Sequence, residues 1–265
     1  MIGAIAGDII GSPYEAHPVK MTDFELLGRG CRFTDDTVLT VATAFSLMTD
    51  GDYAQNYRIF GRLYPLAGYG PLFRAWLASD DPQPYGSWGN GSAMRVCPVG
   101  FLLDDEAEVL REAARSAAVT HDHPEGIKGA QAVALAVLLA RRGTGAEDLR
   151  RELTARFGYD LARTAAEIRP RYAFDISCQG SVPEALICAL EGRDWERAVR
   201  LAVSLGGDAD TQACIAGAVA EARWGGVPAD IDRRVRLVLP EHLLEIVCDF
   251  EARLREQHGG GKDTA

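Results

Sequence analysis

The chain has 265 residues, of which 47% are apolar and 25% charged, with a net charge of -10 and a pI near 5.0. That is enough chain to bury a substantial core. The acidity and the absence of any basic stripe argue against a nucleic-acid partner, which would need phosphate neutralisation.

Six cysteines occur, with no CxxC pair and no His at zinc-finger spacing from one. Most lie in apolar stretches (around Cys97, Cys188, Cys214 and Cys248), so they read as small buried hydrophobes in a reducing compartment. The N-terminus lacks a basic region and meets Asp8 early, unlike a signal peptide. The most apolar run, 130–140, is too short for a bilayer of ~30 Å. A cytoplasmic protein without a membrane partner is expected.

In chain order, 2–10 is small and apolar and predicts a helix ending near Gly11, with a buried strand as competitor. The Gly and two Pro residues of 11–18 predict a loop holding Glu15, locally an ordinary solvated acid. Thr34-Asp35-Asp36-Thr37 then precedes an apolar helical stretch to Met48. Thr and Asp are favoured caps, and acids suit a first helical turn, so on its own this block is a helix start. A second amphipathic helix is expected over 52–60. Residues 65–89 are rich in Gly, Pro and aromatics, with a helical turn over 72–78.

The stretch Ser87-Trp88-Gly89-Asn90-Gly91-Ser92 has closely spaced glycines that allow backbone N–H groups to approach an anion; the plain alternative is a tight turn. Helices are expected over 105–119 and 125–142, the second so apolar that it should be the central, most buried one. Thr120-His121-Asp122-His123-Pro124 joins them, and histidines at such a junction more often hydrogen-bond backbone than bind metal. Further helices are expected over 146–157, 161–168, 181–190 (with Ser181 and Glu184 as a capping box), 194–204, 212–224, 228–238 and 241–257. No stretch alternates with period two. The expected fold class is all-α, one domain over 1–257, with 258–265 a Gly-rich, disordered tail.

The second acidic block, Asp208-Ala209-Asp210-Thr211, follows Gly206-Gly207 and opens another alanine-rich helix. Small residues behind each acidic block would let two helix N-termini approach closely. Four carboxylates in one place would raise one another's pKa unless cations relieved them. Carboxylate and hydroxyl oxygens suit Mg²⁺, Mn²⁺ or Ca²⁺, not zinc or copper. Two unrelated helix caps remain the alternative.

Five blocks taken together resemble the ADP-ribosylglycohydrolase family. They are Gly3-Ala-Ile-Ala-Gly-Asp8 running on to Glu15, Phe33-Thr-Asp-Asp-Thr37, Ser87-Trp-Gly-Asn-Gly-Ser-Ala-Met-Arg95, Thr120-His-Asp-His-Pro124 and Ser204-Leu-Gly-Gly-Asp-Ala-Asp-Thr211. The resemblance implies an orthogonal helical bundle around two Mg²⁺ or Mn²⁺ ions held by Thr34, Asp35, Asp36, Asp208, Asp210 and Thr211. It implies catalytic roles for Glu15, Asp35 and Asp36. Ser87, Trp88, Gly89, Asn90, Gly91 and Ser92 would bind substrate, the loop taking a diphosphate and Trp88 standing where some relatives stack an aromatic on adenine. His121 would contact a ribose. Ala209 departs from the Thr common in relatives, and Pro13 would stiffen the loop carrying Glu15.

The implied reaction cleaves the bond between ADP-ribose and an acceptor, most readily an amino-acid side chain of a modified protein. Water, activated in the metal site or deprotonated by Asp35 or Asp36, attacks the anomeric carbon through an oxocarbenium-like transition state, with Glu15 as acid or base for the leaving group. The expected partners are an ADP-ribosylated protein or ADP-ribosyl small molecule, acted on by a monomer. The competing readings are hydrolysis of a free ADP-ribosyl metabolite and a non-catalytic ADP-ribose-binding relative. Loops 65–86 and 172–180 are expected to form the acceptor side of the cleft.

Overall fold

A computed structural model of the protein describes residues 1–259. The described residues form helices and loops without a named strand; one isolated antiparallel bridge joins Gly89 to Ser177. The helices are α1 (Ile2–Ala16), α2 (Asp35–Thr49), α3 (Tyr53–Leu63), α4 (Pro71–Ala78), α5 (Gly91–Met94), α6 (Cys97–Leu102), α7 (Glu106–Ala118) and α8 (Pro124–Arg141). They continue with α9 (Ala146–Phe157), α10 (Ala165–Ile168), α11 (Cys178–Glu191), α12 (Trp195–Val203), α13 (Ala209–Trp224), α14 (Ala229–Val238) and α15 (Glu241–Gly259). The all-α class is as expected. α15 runs two residues into the stretch read as a tail; the rest of that tail, 260–265, lies outside the described residues.

The fold centres on α1 packed against α13. Their approach is closer than any side chain would allow. A Cβ on Gly7 would lie 2.0 Å from the Ala213 carbonyl oxygen, and one on Gly11 would lie 2.4 Å from that of Ala209. Every residue of α13 from Ala209 to Ala220 is buried. α8 is buried from Ala132 to Ala140, as its composition predicts, but shares the centre with α13. No helix among the described residues is long and apolar enough to cross a membrane.

Four expectations are corrected. α1 does not stop near Gly11 but continues through Pro13 to Ala16, so Glu15 sits on a helix and not in a loop. Proline cannot donate to the carbonyl four residues back. Here the Ser12 hydroxyl donates to that carbonyl, on Ile9, at 3.0 Å, which satisfies it and lets the helix run on. α11 starts at Cys178, capped by Ser177, whose hydroxyl accepts from Gly180 N–H at 3.0 Å. Glu184 therefore lies inside the helix and pairs with Arg163 at 2.8 Å instead of closing a capping box. The 161–168 helix shrinks to α10, and the capping box present there joins Thr164 and Glu167. Cys97, Cys188 and Cys214 are buried as expected and Cys178 is buried with them, but Cys248 is exposed.

Candidate active site

α1 positions the site because it touches both acidic blocks. Asp8, on its buried face, has no solvent exposure. Its carboxylate accepts from the Thr34 N–H (2.9 Å) and hydroxyl (2.7 Å), from the Thr37 N–H (3.1 Å), and from the Thr37 hydroxyl. The turn that opens α2 is thus tied to α1. Thr34 also caps α2 as its composition predicts, accepting from Asp36 N–H at 3.3 Å. Asp208 stands at the N-terminus of α13 but makes no capping bond. It accepts instead from the Asn90 side-chain amide at 2.7 Å, which joins the glycine-rich loop to the second block.

The two blocks meet. The Thr211 hydroxyl lies 3.4 Å from Asp36 Oδ2. One oxygen from each of Asp8, Asp36 and Asp210 falls within 4.8 Å of the others, and so does one from each of Glu15, Asp208 and Asp210. Asp210 is common to both groups. The oxygens of Asp8 are already engaged by Thr34 and Thr37, so Asp8 acts as support beneath the cluster and not as a first choice of ligand. Asp35 lies in neither group; it lines the same cavity, with Oδ1 facing Gly68.

The electrostatics call for cations. Burial pushes the Asp8 carboxyl up to about 6 despite the hydrogen bonds that favour its anion. Asp35 rises to about 8, first by burial and then through the charge of Asp8. Asp36 and Asp210 stand well above the usual carboxylate range, by burial and by the neighbouring carboxylates. Asp208 and Glu15 are raised too, burial again leading. Asp36 Oδ1 is buried with no hydrogen-bond partner. A buried, unpartnered carboxylate oxygen among other carboxylates fits a hard divalent cation held by oxygen ligands.

Above the cluster is a cavity of about 300 Å³. Of the residues named from the sequence, Glu15, Thr34, Asp35, Asp36, Ser87, Gly89, Asn90, Gly91, His121, Asp208, Asp210 and Thr211 all line it. Both expected acceptor loops contribute, through residues 67, 68 and 70–73, Tyr85 and Ile176. Ser92 lies behind the wall, its hydroxyl donating to the Gly126 carbonyl at 2.7 Å. Trp88 is half exposed and is not part of the lining. Its carbonyl accepts from Cys178 N–H at 2.8 Å, and this contact with Asn90 N–H to Ile176 O holds the loop in place.

His121 is 5% exposed. Its Nδ1 lies 2.7 Å from the Thr120 hydroxyl, which accepts from the guanidinium of fully buried Arg95 at 2.8 Å. A Thr120 hydroxyl that donates to Nδ1 puts the ring proton on Nε2, on the side of Gly91. Burial, and then the Arg95 charge, hold the imidazole well below its usual range. His121 therefore presents a neutral imidazole to the cavity.

Sequence reasoning left Asp8, Thr37 and Arg95 without roles. Asp8 carried a readable signal: an acid inside an apolar, glycine-rich helix must find buried partners. Nothing local marks the other two.

The ADP-ribosylglycohydrolase family profile matches residues 1–259. The chain belongs to this family. It is similar to ADP-ribosylhydrolase ARH3 of Danio rerio, at 29% identity over 85% of this chain and 81% of that protein, and to ARH3 of Homo sapiens, at 28% over 85% and 84%. It is also similar to ADP-ribosylarginine hydrolase Tri1 of Pseudomonas putida, at 25% over 87% and 71%. A solved structure, "ADP-ribosylglycohydrolase-related protein complex", superposes with a TM-score of 0.72 at 27% identity, covering 96% of this chain and 97% of that one. As an ADP-ribosylglycohydrolase, the chain is a hydrolase of ADP-ribose glycosidic bonds, and the cleft described above is its candidate active site.

Proposed function

We propose that this ADP-ribosylglycohydrolase uses two divalent cations, Mg²⁺ or Mn²⁺, to release ADP-ribose from an amino-acid side chain of a modified protein. The observation that carries the reading is the pair of overlapping oxygen groups sharing Asp210 on the floor of the cavity. Thr34, Asp35, Asp36, Asp208, Asp210 and Thr211 would hold the cations. Once bound, such cations offset the crowded negative charge, orient the ribose hydroxyls and acidify water.

The protein's own groups would do the rest. The N–H groups of Gly91 and Ser92, at the start of α5, take the diphosphate, and His121 donates through Nε2 to a ribose or phosphate oxygen. Asp35 or Asp36 receives a proton from the attacking water. Glu15, on the last turn of α1 and raised by burial and by Asp208, is suited to carry a proton to or from the leaving group. The net charge of -10 supports a partner set without nucleic acid. The test is ADP-ribose release from a modified peptide with saturating Mn²⁺ and again with a chelator. Release that persists unchanged in chelator defeats the metal assignment, and no release in Mn²⁺ from any modified peptide defeats the reaction.

A further inference from the structure

The side chain of Lys20 joins pieces of the site that lie far apart in sequence. Its ammonium donates to the carbonyls of Arg169 (3.0 Å), Tyr172 (2.6 Å) and Leu205. An ammonium has three N–H groups, so each finds one acceptor. All three bonds are charge-assisted, the stronger kind. Arg169 and Tyr172 lie between α10 and the loop that lends Ile176 to the cavity, and Leu205 follows α12. Lys20 itself stands in the segment just past α1, whose last turn carries Glu15.

The bond to Leu205 matters because of what comes next in the chain. Gly206 turns at φ +67°, a left-handed conformation, and a Cβ there would fall 2.9 Å from Lys20 Cε. On the other side, a Cβ on Gly207 would fall 2.4 Å from the Tyr172 ring. The Gly206-Gly207 turn is thus gripped between Lys20 and Tyr172. Tyr172 is tied in turn to α11 by its hydroxyl, which donates to the Gly180 carbonyl at 2.7 Å. Asp208 leaves this turn directly. It makes no capping bond to α13, so its own helix does not hold its carboxylate. The turn before it and the Asn90 amide do. Glu15, Asp208 and Asp210 form one of the two oxygen groups. Lys20 therefore ties the segment that follows Glu15 to the turn that precedes Asp208.

Resting on the metal-dependent reading above, we propose that Lys20 is a positioning residue: it sets the spacing between Glu15 and Asp208, and with it the affinity of that oxygen group for its cation. The test uses the full chain with K20M, which keeps the stem and removes the donors, and with K20R, which keeps a cation with donors. Calorimetric titration should show Mn²⁺ affinity about tenfold weaker in K20M, the lower end for lost supporting contacts around a metal, and K20R should recover part of it. Amide exchange in chelator should speed up in K20M at 205–211 and stay as in wild type at 34–38, where Asp8 holds the turn. A K20M variant with a lower Tm but wild-type Mn²⁺ affinity, or with exchange raised equally at both blocks, overturns the assignment of Lys20 and leaves the hydrolase reading intact. A wild-type chain that binds no Mn²⁺ overturns the metal reading, and this inference with it.

Discussion

Asp8 accepts both the N–H and the hydroxyl of Thr34, at 2.9 and 2.7 Å, across 26 residues of chain. By taking the hydroxyl proton it turns the Thr34 oxygen lone pairs toward the cluster. It also pins the first turn of α2 through Thr37. Asp8→Asn replaces an acceptor with a donor that faces other donors. The expected result is a loss of Mn²⁺ affinity of roughly 10- to 100-fold, the range for disrupted supporting contacts around a metal, with faster amide exchange at 34–38. Calorimetric titration and hydrogen exchange measure both. Unchanged affinity would return Asp8 to a purely structural role.

The raised carboxyls give a signed pH dependence. Asp8 near 6 and Asp35 near 8 keep protons in the folded, metal-free protein that the unfolded chain, at ordinary carboxylate values, has already released. The folded state then binds more protons, so stability falls as pH rises from the ordinary carboxylate value of 3.8, up to about 6 through Asp8 and up to about 8 through Asp35. Metal binding needs the ionised ligands and releases protons, so affinity rises over the same window. Thermal melts in chelator should show a lower Tm at pH 8.5 than at pH 6, and saturating Mn²⁺ should flatten or reverse that slope. A chelated protein that melts higher at alkaline pH would contradict the buried-carboxylate account.

Gly11 is where α1 meets the start of α13. A methyl group there would sit 2.4 Å from the Ala209 carbonyl oxygen and 2.5 Å from the Asp210 Cα, both backbone atoms that cannot swing aside. Gly11→Ala should destabilise the protein by about 1–3 kcal/mol or more, as overpacking does. It should also weaken Mn²⁺ binding, because the helices must part at Asp210. A variant with wild-type Tm and affinity would mean that the contact is looser than the geometry indicates.

The Arg95–Thr120–His121 chain predicts a fixed tautomer. Thr120→Val keeps the shape and removes the hydroxyl that faces Nδ1. His121 should then lose its Nε2–H preference, visible in its ¹⁵N imidazole shifts, and KM should rise more than kcat falls, as for a group that binds substrate throughout the reaction. A wild-type tautomer in the variant would show that something other than Thr120 sets it.

How much was legible varies by element. Helices α2, α7, α8, α13 and α15 could be read from spacing and caps, because helix formation is a local property of the chain. α1 was cut short, because Pro13 breaks a helix unless something else satisfies the Ile9 carbonyl, and the role of Ser12 shows only in three dimensions. The capping box at 181–184 matched a pattern but lost to Ser177, whose hydroxyl reached Gly180 first.

The sequence by itself determined the all-α class, the family, and a set of site residues nearly all of which line one cavity. Five motif blocks in order carry that information, since each is a short run whose chemistry is local. Tertiary structure decided what joins them. The α1–α13 packing sets Asp8 beneath Thr34 and brings Asp36 within reach of Thr211, contacts spanning 26 and 175 residues. It aligns Arg95 and Thr120 behind His121. No local pattern encodes those pairings, because the free energy of burying a charge depends on the partners that the fold delivers.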